Sequence, residues 1–218
     1  MANFTTARRN MVENQLRPDA ISDARLLSAA GSVPREYFAP ADARALAYGE
    51  AQLGVAPGRY MLSPLCAAIL LQAAEIEPGD VALVVGAGDG YMGALAARLA
   101  GTVIGLESDP VLLARATDQL NRCGIDNIAL VGGDLAAGYA RQAPYDVIVL
   151  NGATETGVAM LLAQLRDGGR LVCIEYENTV GRARVYRRDG GAVAGRTVRD
   201  LAAPVLPGFE KSAAFSFG

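Results

Sequence analysis

Glycines stand at 86, 88 and 90, between an apolar run at 81–85 (Val-Ala-Leu-Val-Val) and a helix-forming run at 91–98. Alternate glycines let a backbone take positive φ and let a ligand approach it closely. A strand, a glycine turn and a helix start make a nucleotide-binding corner. The spacing leaves the ligand open. Gly88, Gly90 and Gly93 fit the G-x-G-x-x-G pattern of dinucleotide sites. Gly86, Gly88 and Gly90 fit the G-x-G-x-G turn of enzymes that use S-adenosylmethionine (SAM), and a tight turn with no ligand would satisfy the same residues. Glu107 closes the next apolar run, 102–106. A carboxylate at the tip of the second strand can accept hydrogen bonds from both ribose hydroxyls of an adenosine. Asp134, after Gly132-Gly133, could accept an adenine amino group or simply close a turn. Acids at the ends of two successive strands favour adenosine, because ligands of parallel sheets lie at the carboxyl ends of the strands.

The elements that must position these residues alternate along the chain. The pattern predicts strands over 81–85, 102–106, 128–131, 145–150 and 170–176, with helices over 91–98, 110–122 and 157–165 between them. Val111, Leu112, Ala116 and Leu120 are available for the inner face of the second of these helices. Residues 182–188 and 192–198 alternate around Asp189-Gly190-Gly191 and read as a hairpin, and 213–217 as a final strand. Upstream, helices are expected over 5–16, over a stretch capped by Ser22 or Asp23 that carries Leu26, Leu27 and Ala30, and over 34–38 and 42–48. Residues 49–60 read as a Gly- and Pro-rich loop, and Ser63-Pro64 opens a strongly apolar helix over 65–74. The fold class is α/β: a Rossmann-like, mostly parallel sheet with antiparallel strands at its C-terminal end, preceded by helices. The 218 residues read as one domain, with 1–60 a helical extension and 61–218 the core.

Bulk properties narrow the function. A hydrophobic content of 51% suffices for a core, and a net charge of −3 argues against a nucleic-acid surface that works by bulk charge. No apolar run reaches the length of a membrane span, and residues 1–9 lack an apolar signal segment. Cys66, Cys123 and Cys173 are odd in number and widely spaced, as reduced thiols would be, and suggest neither a disulfide frame nor a metal site. The expected location is therefore the cytoplasm. The chain has no histidine, which removes every Ser-His, Cys-His and His-metal mechanism. Methyl transfer from a sulfonium to an already ionised oxygen needs no imidazole.

Further residues carry a resemblance. Ile21-Ser22-Asp23, Val33-Pro34-Arg35-Glu36 with Phe38 and Pro40, and Ala47-Tyr48 belong to it. So do the segment before Pro64, the turn at 86–91, Glu107, Gly133-Asp134, Pro144-Tyr145-Asp146 and the run Gly-Gly-Arg-Leu-Val at 168–172. Over nearly its whole length the chain resembles the protein-L-isoaspartate O-methyltransferases, a class I SAM-dependent family. The resemblance implies SAM as cofactor, S-adenosylhomocysteine as product, and isoaspartyl-containing peptides or proteins as substrates. Methylation of the α-carboxyl would start repair through a succinimide. It implies cofactor contacts from Met61, Gly86, Ala87, Gly88, Asp89, Gly90, Glu107, Ser108, Asp134, Leu135 and Asn151. Nucleic acid, membrane and metal are not implied. A peptide carboxyl ionises near pH 4, so the nucleophile is ready at neutral pH and the protein need only align the groups and exclude water.

The chain departs from the family pattern at three places. The family's Ile-Ser-x-Pro is here Met61-Leu62-Ser63-Pro64, which puts Leu62 where the reacting serine belongs. Ser63, one place along, is the candidate catalytic serine, or else the cap of the helix opened by Pro64. The acid usual before the glycine turn is Val84, and the glycine usual after Asp134 is Leu135. These changes predict weak repair activity. The alternatives are an inactive or repurposed relative, with or without SAM, and a methyltransferase for another carboxylate or small molecule. A nicotinamide enzyme would need a second catalytic domain or a proton donor, and the C-terminal hairpin offers neither. A base-modifying methyltransferase would commonly show Asn-Pro-Pro-Tyr, where this chain has Asn151-Gly152-Ala153-Thr154. Two expectations concern binding: S-adenosylhomocysteine binds in preference to NAD, and Glu107→Ala weakens that binding about tenfold without changing the melting temperature of the free protein.

Overall fold

A computed structural model describes residues 3–211. The N-terminal helices are α1 (Phe4–Met11), α2 (Ala24–Ser32) and α3 (Arg35–Phe38). The stretch expected as one helix over 5–16 changes its winding after Met11, and Val12–Leu16 forms a π turn. Asp23 caps α2 by accepting from the N–H groups of Arg25 and Leu26. The expected helix over 42–48 is reduced to a single 3₁₀ turn, Arg44–Leu46.

The loop expected over 49–60 instead contains an antiparallel hairpin of β1 (Leu53–Ala56) and β2 (Arg59–Met61). Its strands are so short that the three Gly and one Pro among residues 49–60 give the stretch the composition of a loop. Helix α4 (Pro64–Ala74) follows, with Ser63 as its N-cap and nine of its eleven residues buried. Its hydrophobicity all round suits a helix enclosed by other elements, and it packs against the main sheet.

The main sheet takes the order β5-β4-β3-β6-β7-β8-β9. Its parallel part comprises β3 (Val81–Val85), β4 (Thr102–Glu107), β5 (Ile128–Gly132), β6 (Tyr145–Thr154) and β7 (Leu165–Glu177). The antiparallel part adds β8 (Val180–Asp189) and β9 (Ala192–Asp200). Helices α5 (Tyr91–Ala97), α6 (Pro110–Arg122) and α7 (Ala159–Leu162) complete the alternation. The expected α/β class and the antiparallel end both hold. The helix expected over 157–165 shrinks to α7 because Leu165 already pairs with Tyr145 as the first residue of β7. Val111 lies 73% exposed, so the inner face of α6 is Leu112, Ala116 and Leu120 alone. The expected strand over 213–217 lies outside the described residues.

Alternation along β3 divides its side chains between two cores. Ala82 and Val84 join a cluster that includes Met11, Leu26, Phe38, Met61 and Leu62, so the N-terminal helices share a core with α4, α5 and the sheet. Leu83 and Val85 face a second cluster with Leu135, Tyr145, Leu206 and Phe209. A strand buried on both faces requires the unbroken apolar run that β3 shows. No helix among the described residues is long and apolar enough to cross a membrane.

Candidate functional site

Strand β3 is flanked by β4 on one side and β6 on the other, which makes its carboxyl end the switch point of the sheet. The glycine turn lies there. Gly86, Gly88 and Gly90 have φ of 77°, 55° and 95°, values that L side chains rarely adopt. The N–H groups of Gly86 and Ala87 both donate to the Leu106 carbonyl at 2.9 Å, which pins the turn to β4. Asn151 Nδ2 donates to the Gly86 carbonyl at 2.9 Å and ties it to β6. Asp89 is buried and accepts the Tyr91 N–H at 2.8 Å, at the start of α5. Burial pushes its carboxyl up to about 6, against the opposing pull of the Tyr91 N–H and the Arg35 guanidinium.

Glu107, the last residue of β4, is the hub of this corner. Its Oε1 accepts from Arg59 Nη1 at 2.5 Å, Ser108 N at 2.8 Å and Asp109 N at 3.0 Å. Its Oε2 accepts from Arg59 Nη2 at 2.7 Å and Gly88 N at 2.6 Å. Burial alone would raise the Glu107 carboxyl, but the Arg59 guanidinium and the Asp109 and Gly88 N–H groups outweigh it and hold it below the usual carboxylate range. Arg59 and Glu107 side chains are only 5% and 0% exposed. Sequence reasoning missed Arg59. Its one signal was a lone basic residue between Gly58 and Tyr60, close before Pro64.

The C-terminal segment covers the same corner. Val205 bridges to Ala153, and Leu206 N donates to the Ala153 carbonyl at 2.9 Å. A Cβ placed on Gly86 would lie 2.9 Å from Leu206 Cδ2 and 3.4 Å from Arg59 Nη2. Between Arg59, Leu62, Asn151 and Leu206 the remaining cavity is about 10 Å³, room for about one water.

Arg35 is the second functional-looking residue that sequence reasoning left without a contact. Fully buried, it donates from Nε to the Ala47 carbonyl at 2.6 Å and from Nη2 to the Leu62 carbonyl. Its guanidinium lies 4.6 Å from the centre of the Tyr91 ring. Glu36 beside it accepts from Arg8 at 3.0 Å and from the Tyr48 hydroxyl. The Pro-Arg-Glu run therefore binds the N-terminal helices to the chain on both sides of the hairpin.

The remaining candidates separate. Met61 and Leu62 are buried beside the corner. Ser63 Oγ accepts the Cys66 N–H at 3.2 Å, the capping role expected of a residue before Pro64. Ser108 is exposed, and it meets Glu107 through its N–H and, at 3.4 Å, its hydroxyl. Asp134 is exposed and its Oδ1 accepts the Ala136 N–H at 2.9 Å, while Leu135 is buried in the second core.

A family model described as Protein-L-isoaspartate(D-aspartate) O-methyltransferase (PCMT) matches residues 6–202. The chain belongs to this family. Protein-L-isoaspartate O-methyltransferase 2 of Anaeromyxobacter sp. (strain Fw109-5) is 42% identical over 77% of this chain and 69% of that protein. The protein-L-isoaspartate O-methyltransferase of Methanoculleus marisnigri is 38% identical over 76% of this chain and 75% of that protein. Among solved structures, a protein-L-isoaspartate O-methyltransferase superposes with a TM-score of 0.79 at 21% identity, over 92% of this chain and 66% of the other. A PCMT structure from Plasmodium falciparum in complex with S-adenosyl-L-homocysteine gives 0.79 at 18% identity, over 94% and 99%. At these identities the structural likeness carries the fold alone. Beside the corner this chain places the apolar Leu62, and within it the charge of Arg59.

Proposed function

We propose that the chain is a SAM-dependent O-methyltransferase that acts on the carboxyl of isoaspartyl residues in damaged proteins, with activity limited by its own site. One observation carries this reading. In a chain of the isoaspartate methyltransferase family, the glycine turn lies at the switch point of the sheet with a buried carboxylate on the neighbouring strand end. SAM, the donor of this family, supplies an electrophilic methyl group. With Arg59 on Glu107 the carboxylate has no free site for a ribose hydroxyl. A carboxylate offers about four lone-pair sites, and five N–H donors already converge on Glu107. The proposed roles of the chain's own residues are local. The Gly88 N–H and Glu107 form the ribose end, Asn151 and the Leu106 carbonyl hold the turn, and Leu62 and Leu206 exclude water. Location in the cytoplasm and a lack of affinity for nucleic acid belong to the same proposal.

Transfer of labelled methyl groups to an isoaspartyl peptide tests it. Low wild-type turnover is expected. Leu62→Ser should raise the rate about ten- to a hundredfold, because a hydroxyl bonded to a charged carboxylate contributes roughly 1.5–3 kcal/mol if it acts in the transition state. Ser63→Ala should leave the rate unchanged and cost about 1 kcal/mol of stability through the lost cap. Brisk wild-type turnover that disappears in Ser63→Ala would make Ser63 the active serine and remove the role given to Leu62.

A further inference from the structure

The geometry points to Arg59 as an internal occupant of the cofactor site: its guanidinium holds the carboxylate that the cofactor's ribose needs, and SAM enters only when the hairpin β1–β2 withdraws it. This inference rests on the reading of the glycine turn as a SAM site.

Three features of the structure carry it. The first is saturation. Both Glu107 oxygens are taken up, and the two contacts from Arg59, at 2.5 and 2.7 Å, form the parallel two-pronged arrangement that guanidinium and carboxylate favour. The remaining donors are the backbone N–H groups of Gly88, Ser108 and Asp109, fixed by the turn and by the end of β4, and at 3.4 Å the Ser108 hydroxyl. Of the charged donors, Arg59 alone is on a side chain that can leave without unfolding the corner. The second is volume. Arg59 Nη2 lies 3.4 and 3.6 Å from where Cβ atoms of Gly86 and Gly88 would be. The side chain thus fills the space that side-chain-free glycines open above the turn, and the cavity left is about 10 Å³. Pockets for cofactor-sized ligands run to about 300 Å³ or more.

The third is the mounting of Arg59. Along β2, alternation turns Arg59 and Met61 inward and leaves Tyr60 40% exposed. An inward arginine beside an inward methionine reads as a charge aimed at a partner within the protein. Among the described residues the hairpin pairs with itself alone and forms a two-stranded sheet apart from the main one. Its register is irregular between Gly54 and Ala56, and Gly58 at its turn has φ of 68°. Two strands alone are marginally stable, so this element can lift while the seven-stranded sheet stays intact. Lifting it draws Leu53 and Met61 out of the first core, while just before β1 Gln52 Nε2 donates to the Ala202 carbonyl at 3.1 Å.

Titration calorimetry of the full chain with S-adenosylhomocysteine tests the inference on the wild type, Arg59→Gln, Arg59→Ala and Arg59→Lys. Removal of the guanidinium is expected to tighten binding at least tenfold in Arg59→Gln and Arg59→Ala. Arg59→Lys, which keeps a charge but loses the two-pronged contact, should fall in between. Hydrogen exchange on the wild type keeps the test open should the neutral variants fail to fold. Saturating S-adenosylhomocysteine should speed exchange across 53–61 as the hairpin lifts. Wild-type affinity equal to or tighter than that of every variant, or slower exchange across 53–61, would overturn the gate while leaving the SAM site in place. No binding by any of the four proteins would overturn the SAM site itself, and the gate with it.

Discussion

Glu107→Ala is expected to lower the unfolding free energy by about 3–5 kcal/mol, the usual cost of removing one partner from a buried ion pair. Two losses add up. The Arg59 guanidinium, 5% exposed, is left without its carboxylate, and the N–H groups of Gly88, Ser108 and Asp109 lose their acceptor. For a chain of this size the melting temperature should fall by roughly 10 °C. Arg59→Ala should cost less, because the Glu107 that remains keeps its three backbone donors. Denaturant unfolding of both single variants and the double variant gives the coupling between the two residues. This reverses the expectation drawn from sequence, which treated Glu107 as an acid reserved for a ligand and removable from the free protein at no cost. A Glu107→Ala variant that melts with the wild type would mean that the pair is open in solution and that Glu107 stands free for a ribose.

That reversal shows which kind of information the sequence carries. The glycine corner was legible because its signals are local: an apolar run long enough for a strand buried on both faces, then glycines at fixed spacing, then a helix start. Ser63 was legible as a cap for the same reason, since the cap and the Cys66 N–H it accepts lie three residues apart. Arg59 was not, because its partner Glu107 lies 48 residues away and nothing near Arg59 marks it as buried. Its hairpin was hidden too, since strands of four and three residues separated by Pro57-Gly58 have the composition of a loop. Arg35 stood within a recognisable run, but its contacts with the Ala47 and Leu62 carbonyls depend on how two loops return to one place. Val111 was placed inward by periodicity alone. Its position at the start of α6, next to the Asp109 cap, leaves it in solvent instead. Leu165 was assigned to a helix because leucine suits both states, and only pairing with Tyr145 decides for the strand.

Asp89→Asn is expected to stabilise the protein at pH 7.5, and near pH 4 to bring no gain and to cost up to about 2 kcal/mol for its buried amide. Asp89 is 1% exposed, and burial raises its carboxyl to about 6 from an ordinary value near 3.8. A raised acid binds its proton more tightly in the folded state than in the unfolded one, so stability falls as the pH rises between these two values. Below about 4 both states are protonated and no cost arises; above about 6 the folded protein carries the full cost of a buried charge. A rise of that size is worth about 3 kcal/mol. The Asn side chain keeps an oxygen for the Tyr91 N–H, which Asp89 holds at 2.8 Å, but brings an amide that also needs acceptors, so a net gain of about 1–3 kcal/mol is expected. Arg35 works against this gain. Its buried guanidinium attracts the Asp89 carboxylate without a direct ion pair, and its Nη1 has no hydrogen-bond partner among the described residues. Were that attraction the larger effect, Asp89→Asn would be less stable than the wild type at pH 7.5 and the difference would shrink on acidification. Unfolding curves at the two pH values separate these outcomes by sign. A destabilised variant at pH 7.5 would make ionised Asp89 a favourable partner of Arg35.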